Sequence, residues 1–171
     1  MTRPFTPLEE KIQTVLEKVR KELTGQNAAN AVWTLKIKQA LCNLALNVDS
    51  TYKTNASGEG LRGEWLFDLV WYREEEIDGE AHLTSLDLVM ESEWLRDWSN
   101  LRDDFQKLLI ARAAQKIMIF EVANEAARED RLSKMQTALK SFNGRLDNAN
   151  YMFAVYNVKT SLFKFYTEAA R

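Results

Sequence analysis

Cysteine occurs once in this chain, as Cys42, which excludes an internal disulfide and any cysteine-cluster zinc site and fits a reducing compartment. Histidine is equally scarce: His82 has no His or Cys partner with which to hold zinc, so its expected role is structural. No run approaches the roughly 18 apolar residues of a membrane span. The opening Met1-Thr2-Arg3-Pro4-Phe5 lacks the apolar centre of a signal peptide, so the expected location is cytoplasmic, with no membrane partner. Positive charge is not in excess either. A formal net charge of -2 denies the protein a polycationic surface as a whole and leaves room only for a local basic face. Gly-x-Ser-x-Gly, a glycine-rich phosphate loop and a histidine placed to serve Cys42 are all missing, which argues against acyl transfer, nucleoside triphosphate hydrolysis and a nucleotide cofactor.

What is present is enough for a core: 171 residues, 46% hydrophobic and 11% aromatic, make one domain over residues 1–171. Thr6-Pro7-Leu8-Glu9 is a capping box with proline at the first helical position, and Leu8, Ile12, Val15, Leu16, Val19 and Leu23 recur at helical spacing. A helix is predicted over residues 6–24, with Glu9, Glu10, Glu17 and Glu22 on its solvated side. A second helix, from about Asn30 to Val48, places Trp33, Ile37, Leu41, Leu44 and Val48 on one stripe. Ser50 to Gly63 reads as a loop with Tyr52-Lys53-Thr54 a short strand. Strands are expected from Glu64 to Tyr72 and from His82 to Glu93, joined by a charged link ending in the turn pair Asp78-Gly79. A helix capped at Asn100 runs to about Ala113, Lys116 to Glu121 is an inner strand, and a helix from about Asn124 closes at Asn143-Gly144 in the left-handed cap role. Two last strands, Tyr151 to Val158 and Leu162 to Thr167, complete an α/β fold with a mixed sheet.

Two of these strands carry acids where a core strand ordinarily has none. Glu64-Trp65-Leu66-Phe67-Asp68-Leu69-Val70-Trp71-Tyr72 holds Asp68, and Leu86-Asp87-Leu88-Val89-Met90-Glu91-Ser92-Glu93-Trp94 holds Glu91 and Glu93 on one strand face. An ionised carboxylate in apolar surroundings needs a cation, a donor or a metal. Asp87 lies farther from the strand end and suits a salt bridge. Trp33, Trp65 and Trp71 fall at core positions, whereas Trp94 and Trp98 border the acids as rim or base-stacking residues. Arg62, Lys36, Lys38, Arg96, Arg102, Lys107, Arg112 and Lys116 are the candidates for a phosphate-facing patch.

This arrangement of helix, strand with Asp68, strand with Glu91-Ser92-Glu93, helix and strand, over about residues 30–121, resembles the core of the PD-(D/E)XK nuclease superfamily. The resemblance implies a restriction-endonuclease-like mixed β-sheet flanked by helices and a metal-dependent DNA endonuclease. Asp68 and Glu91 would bind Mg²⁺ (or Mn²⁺), and a homodimer would cut both strands of a duplex. The sequence departs from the family where its lysine normally stands, at Glu93. Either Glu93 serves as base or second-metal ligand, or Lys107, on the following helix, supplies the positive charge, or the chain is a catalytically inactive binding or assembly module. The helical Glu of many members is also missing from the helix nearest the first strand, leaving Glu17, Glu22 or Glu59 to stand in for it.

Overall fold

A computed structural model describes residues 3–63, 65–144 and 149–169. Helices α1 (Pro7–Leu23) and α2 (Asn30–Val48) precede strands β1 (Lys53–Ala56), β2 (Leu69–Ile77) and β3 (Glu80–Glu93). Helix α3 (Trp98–Ile110), strand β4 (Gln115–Val122), helix α4 (Glu125–Ser141) and strands β5 (Asn150–Asn157) and β6 (Leu162–Ala169) follow. The six strands form one mixed sheet in chain order, β1 to β6. β1, β2 and β3 are an antiparallel meander, β3, β4 and β5 run parallel through the crossovers α3 and α4, and β6 returns antiparallel. Antiparallel neighbours need only short turns, while each parallel step needs a helix-length connection. The expected mixed α/β sheet flanked by helices is therefore the fold observed.

Alternation along the inner strands feeds two cores. Leu88, Met90, Ile117, Ile119, Met152 and Ala154 pack with Ile12, Leu16, Ile37 and Leu41 of α1 and α2. Val70, Val89, Met118, Phe120, Tyr151 and Phe153 pack with Leu101, Phe105, Leu108 and Met135 of α3 and α4. Among the described residues, no helix is long and apolar enough to cross a membrane.

Several local expectations need correction. The capping box forms as predicted, but Glu9 is fully buried instead of solvated. Arg3 Nη1 and Nη2 donate to its carboxylate at 2.7 and 2.5 Å, and Gln115 Nε2 donates at 3.1 Å. These donors hold its pKa below the usual carboxylate value against the burial that would raise it. The charged link after Tyr72 is not a link: Arg73 to Ile77 continue β2, and Asp78 and Gly79, with φ of 54° and 82°, make a two-residue turn. Both faces of this hairpin tip meet water, so its strands carry glutamates that mask the period-2 signal. α3 starts at Trp98 with Asp97 at the cap position, three residues before the expected cap Asn100. Neither Asn143 nor Gly144 is left-handed; the chain leaves α4 through Phe142 in an extended conformation.

Lys116, proposed from the sequence for a basic surface, is instead fully buried in β4 on the α3 side. Its Nζ donates to Tyr151 Oη at 2.9 Å and to Leu109 O, at the C-terminal end of α3, at 3.4 Å. It also lies 4.8 Å from the Tyr151 ring centroid. Neutral acceptors do not repay an ammonium for lost water, and burial brings its pKa down from 10.5 to about 8. Below pH 8 the folded protein carries the full cost of that charge, and the cost fades as pH rises from 8 to 10.5, where only the unfolded chain still holds the proton. Lys116→Met is accordingly expected to raise the urea-unfolding free energy at neutral pH by about 2 kcal/mol. The gain should vanish near pH 10.5. A pH-independent difference would show that charge burial is not its cause.

Candidate functional site

β3 lies in the middle of the β1 to β4 half of the sheet, and its last residues reach the end where the β2–β3 ladder opens. The ladder pairs Val70 with Val89 and Leu69 with Met90, so the residue before Leu69 arrives opposite Glu91. That residue is Asp68. It sits on a bend one position before β2, not inside a strand as the sequence predicts, and Glu64, the expected first residue of that strand, lies outside the described residues.

Asp68 is held by three donors. Ser92 N and Ser92 Oγ donate to Oδ2 at 2.8 and 2.7 Å, and Lys38 Nζ lies 3.0 Å from Oδ1. Lys38 comes from α2, is 3% exposed, and donates also to Ser57 Oγ at 2.9 Å. Sequence reasoning placed Lys38 in a surface patch and missed this role. The signal was available, because Lys38, Leu41, Cys42 and Ala45 share one helical stripe and all four are buried.

Glu91, 3% exposed, faces the α3 side. Lys107 Nζ of α3 reaches it at 3.2 Å from Oε1 and also approaches Asp104 Oδ1 at 2.7 Å. One ammonium thus serves two carboxylates. Burial first, and the negative charge of Asp68 second, push the Glu91 carboxyl up to about 8 against the pull of Lys107. Burial alone would lower the Lys107 value, yet the bonds to Asp104 and Glu91 hold it above that of a free lysine. The sheet end therefore brings together Asp68, Glu91 and Lys107, with a lysine arriving from each face of the sheet.

Glu93 stands two residues on, but its Oε1 accepts from Leu95 N at 2.6 Å, which turns that carboxylate back on its own chain. Neither Glu17 nor Glu22 comes to the site: Arg20 takes the first at 2.7 Å and Lys36 the second at 2.7 Å. Glu59 is exposed in the loop beyond Ser57. Among the described residues, no group of three or more His, Cys, Asp or Glu side chains is arranged to hold a metal ion.

The expected basic patch is not assembled. Arg96 pairs with Glu121 at 2.6 Å, Arg102 with Asp103 at 2.9 Å, and Lys36 and Lys116 lie elsewhere. Asp87 takes the salt-bridge role expected of it, 3.8 Å from Arg73 Nε, and His82 is exposed on the hairpin tip.

Trp33 and Trp71 are buried in the core as expected, while Trp94 and Trp65 exchange places. Trp94 is buried against Trp33 and Tyr156, and its Nε1 donates to Thr34 Oγ1 at 2.9 Å. Trp98 meets two cations of α4, Arg131 and Lys134, 5.7 and 5.4 Å from its ring. Trp65, expected in the core, is 39% exposed and leans edge-on toward Tyr72 at 6.0 Å. Its neighbour Leu66 is 74% exposed with φ 63°, a left-handed backbone costing a non-glycine residue about 1 kcal/mol. Leu95, just past Glu93, is 58% exposed.

Comparison of the chain with protein-family models, with curated proteins and with solved structures returns no match.

Proposed function

We propose that this protein is a metal-dependent nuclease that hydrolyses phosphodiester bonds of DNA, with Asp68 and Glu91 as the metal-binding acids. The observation that carries this reading is the meeting of Asp68, Glu91 and Lys107 at one sheet end, from β2's entry, β3 and α3. The order α2, β2 entered through Asp68, β3 with Glu91, α3 and parallel β4 follows the order of elements in the PD-(D/E)XK resemblance, and supports it.

The donor set suits a hard divalent cation. Mg²⁺ takes oxygen ligands, needs only one or two protein carboxylates and keeps its remaining waters. Glu91 is a buried acid whose lysine is shared with Asp104 and whose carboxyl is pushed up to about 8, so a cation binding there would displace a proton. When bound, Mg²⁺ supplies charge neutralisation at the phosphate and a polarised water. Ser92 and Lys38 fix the orientation of Asp68. Lys107 rather than Glu93 touches Glu91, so the positive charge the family places on the strand would come here from α3. Hydrolysis consumes one water: its oxygen bonds to phosphorus, the bond to the departing sugar oxygen breaks, and that oxygen gains a proton. The products are a phosphate monoester and a free hydroxyl.

A second reading, a catalytically silent binding module, is favoured by one observation: Asp68 is already satisfied by Lys38 and Ser92. Supercoiled plasmid incubated with Mg²⁺, Mn²⁺ or chelator separates the two. The nuclease nicks it only with metal, and Asp68→Asn abolishes the nicking in protein that circular dichroism shows to be folded, although the stranded Lys38 ammonium lowers its melting temperature by several degrees. Metal raises the melting temperature of the parent protein by mass action on the folded state. Neither nicking nor a thermal shift at millimolar metal is the outcome that selects the silent module.

A further inference from the structure

The sheet has two edges, and they are finished differently. β1 is four residues long and starts with Lys53, and in the loop after it Gly63 N donates to Ala56 O at 2.9 Å. Shortness, a lysine and a covering loop are common means of keeping an edge from pairing with another chain. β6 is eight residues long, contains no proline, and pairs with β5 throughout without a bulge. Among the described residues, its other side makes no backbone hydrogen bond. Arg3 approaches it only through Thr167 Oγ1, which lies on the face of Phe163 and Phe165, toward α1.

That edge also borders a groove. Half-buried Phe165 lies beside the flank of α1 that carries Glu10, Gln13, Thr14 and Glu17, while Val15, Val19 and Glu22 meet α2 on the other flank. Gln13 Nε2 is shut off from water and has no partner among the described residues. A buried donor without an acceptor is costly, and an added strand brings a row of carbonyls to this side of α1.

The charges of β6 fit a copy of β6. Lys164, Tyr166 and Glu168 share the face toward α4, where Lys164 meets Glu125, Tyr166 meets Arg128 and Glu168 accepts from Gln136. When a strand pairs antiparallel with itself about a two-fold axis, opposed residues are equally far from the axis on either side. Only an axis at Tyr166 sets Lys164 against Glu168 of the partner subunit, and it does so twice. An axis at Lys164 or at Glu168 would oppose like charges, which destabilises a sheet. Residues opposed in this way stand an even number apart, so both turn their backbone groups toward the shared edge.

We propose that β6 pairs antiparallel with β6 of a second copy of this chain, about a two-fold axis at Tyr166, so that two six-stranded sheets become one continuous sheet. The contact uses the same edge on both copies and closes on itself, so assembly stops at the dimer. It goes beyond the nuclease reading and holds whether or not the chain cleaves DNA.

Sedimentation equilibrium of the full chain over a range of concentrations tests it and should report a monomer–dimer equilibrium. Lys164→Glu and Glu168→Lys should each raise the dissociation constant about tenfold or more, because two cross-strand attractions become repulsions. An equimolar mixture of the two variants should associate again as a mixed dimer, with every opposed pair once more of opposite charge, a result that a misfolded variant does not give. Oxidised Tyr166→Cys should yield a covalent dimer, since opposed residues fall within disulfide reach, whereas Phe165→Cys should not, its counterpart being displaced along the partner strand. A chain that stays monomeric at every concentration overturns the proposal. So does a dimer indifferent to both charge variants, or a mixture of the two that does not associate. Growth into polymers also overturns it, since that requires a head-to-tail contact between different edges.

Discussion

Glu91→Gln is expected to stabilise the protein while abolishing metal-dependent cleavage. In the fold Glu91 keeps its proton to about pH 8, whereas the unfolded chain releases it near 4.5. Below pH 4.5 both states are protonated, and the native state keeps the full advantage of a neutral, buried carboxyl. As pH rises from 4.5 to 8 the unfolded state alone ionises, so that advantage drains away. Glutamine, neutral throughout, does not lose it. The variant should therefore match the parent in acid and exceed it increasingly toward pH 8, by on the order of 3 kcal/mol at the plateau, since each pKa unit carries about 1.4 kcal/mol. Urea unfolding across that pH range measures the difference. Cleavage should fall by about a hundredfold or more, as loss of a group acting directly on the reacting centre does. A Glu91→Gln protein that still cleaves at the parent's rate would remove Glu91 from the chemistry, and equal stability at all pH values would remove the buried charge.

Lys38→Met is expected to have the opposite sign. It strips the ammonium from Asp68 and leaves Ser92 as the sole source of donors among the described residues, while the methionine keeps an apolar side chain on the stripe of Leu41, Cys42 and Ala45. Removing one partner of a buried pair strands the other, which costs about 3 to 5 kcal/mol when nothing compensates. Asp68 retains part of its exposure and two hydrogen bonds, so a loss of about 3 kcal/mol is expected in chemical denaturation. Two further measurements give the result its meaning. Lys38→Met combined with Asp68→Asn should recover much of the loss, as a double-mutant cycle isolates the pair. Millimolar Mg²⁺ should recover part of it in the single variant, because a divalent cation can stand where the ammonium stood. Recovery by the second mutation but not by Mg²⁺ would make Lys38 and Asp68 a purely structural pair.

These two residues also mark where reading the sequence succeeds and where it stops. Glu91 was legible because an acid within Leu88-Val89-Met90 contradicts its surroundings, and Asp68 because an equal contradiction sits between Phe67 and Leu69. Which helix would neutralise each was not legible from the residues themselves. Lys107 could be named because the PD-(D/E)XK resemblance allows the basic residue to move to the following helix, but Lys38 looked like one more charge on an amphipathic helix. Its burial depends on the loop that places Ser57 above it, a tertiary event that periodicity does not encode. Trp65 failed for a related reason: a large aromatic beside core residues is ordinarily core, and only the left-handed turn at Leu66 lifts it out. The charged half of β2, Arg73 to Ile77, was invisible as strand because neither of its faces is apolar, so backbone pairing alone defines it.

The strand order bears on how the chain assembles. Each strand's neighbour in the sheet is its neighbour in sequence, from β1 through β6, so no strand must be inserted between two that are already paired. Loop closures stay short, which favours rapid folding. Growth can then proceed from one edge outward, in the direction of synthesis. Asp68 and Glu91 meet within the first hairpin, and α3 delivers Lys107 directly afterwards. On this route the acid pair and both its lysines are in place before β5 and β6 dock, and the last third of the chain serves to close the sheet over a site already formed.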